Sequence, residues 1–150
     1  MLKITPSIGR SLLTWNYSAS QDLFGVRKEP YWDTTFVESA MPPLSLSNGD
    51  LLFFHDSMGG WNGTGGFQPG WVVLSGDDPT KVLARASVPP MPYTLPWEIG
   101  TAPWPCNTPH VTNLGGGHPT ENKDEFRVYL GTQDTSNPPS LVISVHVERF

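Results

Sequence analysis

The stretch GDLLFFHDSMGGWNGTGG, residues 49–66, runs an apolar tetrad, Leu51 to Phe54, directly into His55 and Asp56 and then into glycines. A histidine can donate a hydrogen bond to an anion or carry a proton near neutral pH, and a carboxylate accepts hydrogen bonds. Such a pair at the end of an apolar run marks either a strand that reaches the surface and turns or a strand whose end is a site. Asp134 closes a second run, Phe126 to Asp134, and the Thr135-Ser136-Asn137 that follows also suits an Asx-type turn. Other constellations are poorer in chemistry. Cys106, His110 and His118 match neither the spacing nor the flanks of a structural zinc site. Cys106 sits in a proline-rich segment with no orienting acid, which suits a structural thiol better than a nucleophile. Gly115-Gly116-Gly117 is followed by no strand-to-helix junction and is no phosphate loop; it reads as a turn before the next strand.

The elements that must position these residues read as β. No window shows a helical period, whereas short β-type runs recur between turn clusters: Arg10 to Tyr17, Leu51 to His55, Gly70 to Leu74, Glu125 to Leu130 and Leu141 to Val147. In the fourth, Phe126, Val128 and Leu130 alternate with Arg127 and Tyr129, which places one face inward. Asn48-Gly49 predicts a tight hairpin turn. One short helical turn is expected near Asp78 to Leu83, capped by Asp77 or Asp78 with Pro79 at its first position. Sixteen Pro and 15 Gly among 150 residues demand many turns, while 37% apolar residues suffice for a core. These features predict a single all-β domain over residues 1–150. The net charge of -5, with no basic run beyond Arg27-Lys28, argues against nucleic acid as a partner. No apolar stretch approaches the roughly 20 residues that cross a bilayer. The start MLKITPSIGR has no signal-like apolar region, and the lone Cys106 excludes an internal disulfide; a cytoplasmic location without membrane contact is expected.

Several passages taken in order resemble glycoside hydrolase family 130, the β-mannoside phosphorylases and related hydrolases built on a five-bladed β-propeller. Tyr31-Trp32-Asp33, then Pro42-Pro43, then Asn48-Gly49-Asp50-Leu51-Leu52-Phe53-Phe54-His55 is similar to the family's W-W-D, P-P-I and G-W-L-L-I-Y-H-G passage. Asp77-Asp78-Pro79-Thr80-Lys81-Val82-Leu83-Ala84-Arg85 is similar to D-D-P-S-K-V-L-A-R, and Phe126-Arg127-Val128-Tyr129-Leu130-Gly131-Thr132-Gln133-Asp134 to L-x-V-Y-Y-G-A-A-D. Leu12-Leu13-Thr14-Trp15 through Ser20-Gln21-Asp22-Leu23 echoes the family's A-T-S-x-D-L strand ending. The resemblance implies a partial β-propeller from the C-terminal portion of that fold; a β-sandwich is the alternative. It implies a carbohydrate partner, and for His55 a contact with phosphate, for Asp134 a hold on sugar hydroxyls. It calls for no resident cofactor or metal, with inorganic phosphate as a conceivable co-substrate.

Departures from the pattern carry equal weight. Where the family has Lys-Val-Gly-x-Gly, this chain has Phe36-Val37-Glu38-Ser39-Ala40: a cationic position is apolar and a carboxylate has entered. Phosphate binding needs several donors in concert, so phosphorolysis is placed in doubt. Glu38 could serve as a new acid or base, or be a solvated loop carboxylate. Asp56 stands where the family has glycine and reads as a turn residue. The loop from Met58 to Pro69 could bring Trp61 and Phe67 over a sugar face, or be surface only. Propeller blades take about 40–50 residues each, so 150 residues make about three blades. The family's general-acid aspartate lies upstream of the matched region, and the second half of inverting chemistry alone does not make a catalyst. The expectation is therefore a glycosidase- or phosphorylase-like chain that acts on or binds β-mannosides. It would complete its ring as a homo-oligomer or with a missing N-terminal half. The alternative is a non-catalytic carbohydrate-binding or structural β-module. His55, Asp134, Glu38 and Trp61 are the candidate substrate-binding residues.

Overall fold

A computed structural model describes residues 22–58, 67–90, 112–134 and 140–150. Eight strands form among them: β1 (Phe36–Ser39), β2 (Leu44–Ser45), β3 (Leu51–Met58), β4 (Phe67–Leu74), β5 (Val82–Arg85), β6 (Thr112–Pro119), β7 (Glu125–Asp134) and β8 (Ser140–Arg149). The first sheet has the order β1-β3-β4-β5, with β2 also on β3; the second has the order β6-β7-β8. All pairings are antiparallel. No helix among the described residues is long and apolar enough to cross a membrane. The chain is thus all-β, with two blade-like sheets in the described residues out of the roughly three blades its length allows.

β3 is the pivot of the first sheet because both of its faces are covered. Leu52 and Phe54 turn toward the second sheet and join Met41, Phe126, Val128 and Leu130 in one core. Phe53 turns the other way and joins Phe24, Val37, Val72 and Leu74. An apolar run with no polar alternation is what double-sided burial requires. On the far side of β3, β1 and β2 share one edge in succession: β1 pairs with residues from His55 to Met58 and β2 with Leu51 and Leu52. Pro42-Pro43 lies between them, and proline has no N–H to continue the ladder.

The segment 22–35 lies over the Phe53 face and is fastened by charge. Asp33, fully buried, accepts from Arg27 Nε at 2.7 Å and from Arg85 Nη2. Arg27 also donates to the Ala86 carbonyl at 2.6 Å, and Arg85 to that of Gly25 at 2.8 Å. Both guanidinium planes lie on rings, Arg27 over Tyr31 and Arg85 over Phe24. One carboxylate thereby bridges two cations that each also donate to a carbonyl, which eases the burial of their charge.

The hairpin turn expected at Asn48-Gly49 forms: Gly49 has φ 92° and Leu46 N donates to Asp50 O at 2.8 Å. Strand runs expected from the sequence are present and longer than their apolar cores, β3 to Met58, β4 from Phe67, β7 to Asp134 and β8 from Ser140 to Arg149. The run Arg10 to Tyr17 lies outside the described residues. Two expectations are corrected. No helical turn forms near Asp78, because its carboxylate accepts from the Thr80 N–H at 3.2 Å and hydroxyl at 2.6 Å, closing a turn that delivers Val82 into β5. Gly115 to Gly117 are not a turn but the middle of β6, where a register shift between Leu114 and Gly116 absorbs an extra residue.

Candidate functional site

Period two along β3 sends Phe53, His55 and Ser57 to one face and Leu52, Phe54 and Asp56 to the other. His55 is completely buried. Its ring lies nearly parallel to that of Trp32, with centroids 5.9 Å apart and planes 10° apart, and 5.4 Å from the ring of Phe24. Across the ladder stands Gly70. A Cβ there would come within 2.5 Å of His55 Cε1 and 2.8 Å of Trp32 Cζ2, so only glycine leaves room for the stack. The site is therefore made by three elements: β3 supplies the imidazole, β4 the gap beneath it, and the Asp33-fastened segment the indole above it.

Ser57 Oγ lies 2.6 Å from His55 Nδ1. When the hydroxyl donates, Nε2 carries the ring proton and becomes a donor; when it accepts, Nε2 is the acceptor. Among the described residues Nε2 has no hydrogen-bond partner, and neither have Trp32 Nε1 and Arg85 Nε. The His55 pKa is lowered to about 3, first by burial and then by the charges of Arg85 and Arg27. The imidazole is neutral at physiological pH. Of the two roles open to it from sequence, donor to an anion or protonated partner of one, only the first is compatible with this surrounding.

Glu38 stands opposite Asp56 in the β1–β3 ladder, with Ser39 opposite His55. Directly opposed residues share a face, so Glu38 and Asp56 lie on the face that His55 does not use. Asp56 is no turn residue: it is 4% exposed inside β3, between Glu38 and Pro69 of the flanking strands. Asp134 closes β7 opposite Ser140; its carboxylate lies outside what the structure describes, as does Trp61 with its loop. One tie relates the strands that carry His55 and Asp134. The Ser47 N–H and hydroxyl donate to the Asp124 carboxylate at 2.7 and 2.6 Å, joining the turn before β3 to the turn before β7. Both strands leave from that tied end, and both candidate residues stand away from it.

Sequence reasoning did not assign roles to Ser57, Gly70 or the Asp33–Arg27–Arg85 cluster. Ser57 had a legible signal, since two residues beyond His55 on a strand is the same face. The Gly70 contact, by contrast, depends on register. Among the described residues no group of three or more His, Cys, Asp or Glu is placed to hold a metal. His118, the other described histidine of the early constellations, bonds instead to Tyr129 Oη at 3.0 Å and to its neighbour's carbonyl.

No family model matches the chain. Over 108 residues, 72% of its length, the chain is 31% identical to the β-1,2-mannobiose phosphorylase of Thermoanaerobacter sp. (strain X514), of which those residues make up 32%. Its fold is similar to that of a structure from the GH130 family of mannoside phosphorylases, with a TM-score of 0.64 at 15% identity over 89% of this chain and 35% of the other. It is also similar to the β-1,2-mannobiose phosphorylase from Listeria innocua, with a TM-score of 0.63 at 19% identity over 87% and 32%. The chain spans about a third of the length of each of these proteins. In fold and in sequence it is glycoside hydrolase family 130-like, a partial β-propeller covering about a third of such a chain.

Proposed function

We propose that the chain forms part of the binding pocket of a β-mannoside-active glycosidase or glycoside phosphorylase and is incomplete as a catalyst alone. The observation that carries this reading is the 31% identity over 108 residues to a β-1,2-mannobiose phosphorylase. That it matches only 32% of that protein supports the incompleteness. In this reading His55, Asp134 and Trp61 contact the sugar or its co-substrate, whereas Glu38, on the opposite face of the first sheet, does not share their ligand. His55 does so as a neutral donor through Nε2, which has no hydrogen-bond partner among the described residues. The general acid and the remaining wall come from other copies of the chain or from a missing N-terminal half of the fold. Inorganic phosphate competes with water as the acceptor, and the loss of a cationic position at Phe36 argues for water.

The test pairs binding with turnover. Chemical shifts of backbone amides are followed during titration with β-1,2-mannobiose, and cleavage is assayed with and without inorganic phosphate. Saturable shifts without cleavage are expected from the isolated chain. Absence of any shift overturns the carbohydrate reading, and full turnover by a monomer overturns the incompleteness. A second reading, a β-module without catalytic parts, is favoured by one observation: His55 is enclosed by Trp32, Phe24 and Gly70 as a core histidine would be. A His55→Gln variant that binds mannobiose as well as the parent supports that reading.

A further inference from the structure

The imidazole of His55 is restrained by three neighbours of different chemistry. Trp32 lies with its plane 10° from that of the ring and fixes how the ring tilts. Gly70, opposite His55 in the β3–β4 ladder, leaves room for the edge that carries Cε1 and Nε2. Neither contact chooses between the two neutral tautomers, since a stacked ring and an absent side chain act on shape and not on a proton. That choice falls to Ser57. Period two brings it to the face of β3 that His55 uses, it is fully buried, and its Oγ stands 2.6 Å from His55 Nδ1. Hydroxyl donors approach their acceptors to about 2.5–3.0 Å, whereas N–H donors stop at about 2.7–3.2 Å. The separation is that of a hydroxyl that donates. In a neutral imidazole that accepts at Nδ1, the ring proton sits on Nε2.

We propose that Ser57 is a positioning residue for His55: by donating to Nδ1 it holds the imidazole in the Nε2–H tautomer, so that the ring meets an acceptor oxygen of the ligand. It rests on the reading above, in which His55 contacts the sugar or its co-substrate, and names the chemistry of that contact. A neutral N–H is offered to a lone pair. A β-mannoside supplies one on its hydroxyl, ring and glycosidic oxygens, and phosphate on each of its oxygens; a cationic group supplies none. The ring stays neutral because burial and then the charges of Arg85 and Arg27 oppose a second proton. Ser57 also fixes which edge of the ring faces it. A half-turn of the imidazole would set Cδ2 opposite Oγ, give up the bond to Nδ1 and leave the buried hydroxyl without that acceptor. Ser57 thus acts through His55 and has no need to touch the ligand itself.

Nitrogen-15 spectra of the histidine rings in the full chain test this, with the His55 signals identified by their loss in His55→Gln. Near neutral pH the parent is expected to show one His55 tautomer, its proton on Nε2. Ser57→Ala, folded by circular dichroism, is expected to show a mixture of the two. β-1,2-Mannobiose and inorganic phosphate, titrated separately, tell the two sources of the acceptor apart. The ligand that His55 meets shifts the Nε2–H signal, and Ser57→Ala weakens its binding about tenfold. A parent with its ring proton on Nδ1 overturns the proposal without reference to any variant. A folded Ser57→Ala protein that keeps the single Nε2–H tautomer overturns it as well. A parent with Nε2–H that responds to neither ligand overturns the contact of His55 with sugar or phosphate, while the setting of the ring by Ser57 stands.

Discussion

At the scale of single residues, His55 is held by what is missing as much as by what is present. Gly70→Ala places a methyl group 2.5 Å from the ring. It is expected to cost about 1–3 kcal/mol in urea unfolding and to separate the Trp32–His55 stack. Burial and the nearby guanidiniums lower the pKa of His55 from 6.5 to about 3. The folded protein therefore binds fewer protons at this residue than the unfolded chain does. Its contribution is fully present above pH 6.5 and is lost progressively as pH falls from there toward 3. The parent should lose about 2 kcal/mol between pH 6.5 and pH 5 on this account, and His55→Gln should flatten that slope in urea titrations. Asp33→Asn leaves Arg27 and Arg85 without their shared anion in a buried setting. A loss of about 3–5 kcal/mol is expected from thermal or denaturant unfolding, whereas Asp78→Asn, on an exposed turn, should leave stability nearly unchanged.

At the scale of elements, the sequence disclosed strands wherever the apolar pattern was unbroken and concealed them wherever pairing overrode local preference. β3, β4, β7 and β8 were legible in their apolar or alternating residues. β6 was not, because three glycines and a proline speak for a turn until β7 lies beside them to complete the ladder. β5 was masked by Asp78-Pro79, a helix-start signal that Thr80 converts into a closed turn by giving the carboxylate two nearer donors. The candidate site was legible by half. His55 stood out because a polar residue ended an apolar run, but its companions come from β4 and from the segment carrying Trp32, and only register brings those to it. Glu38 was named with His55 as a candidate, either an acid or base or a solvated loop carboxylate, and strand alternation puts it on the face opposite His55. Phe54→Ala tests the inter-sheet core in which β3 and β7 meet. Phe54 is fully buried there, and a destabilisation of about 3–5 kcal/mol is expected from chemical denaturation.

At the scale of the whole molecule, the fraction of a propeller that this chain represents governs what it can do. A closed ring hides its sheet faces and converges its strand ends, whereas the described residues make two sheets, with Val145 and Val147 of β8 about half exposed. On the proposed reading, mixing the chain with a polypeptide that supplies the remaining blades is expected to raise β-mannoside cleavage above that of either alone. The tie between Ser47 and Asp124 has a mechanical consequence for such an assembly. It clasps the two sheets at the end opposite His55 and Asp134, like a rivet at one end of a pair of fan ribs. The turns before β3 and β7 thus share one origin, from which the Leu52–Phe54 face of β3 and the Phe126–Leu130 face of β7 run out already packed against each other.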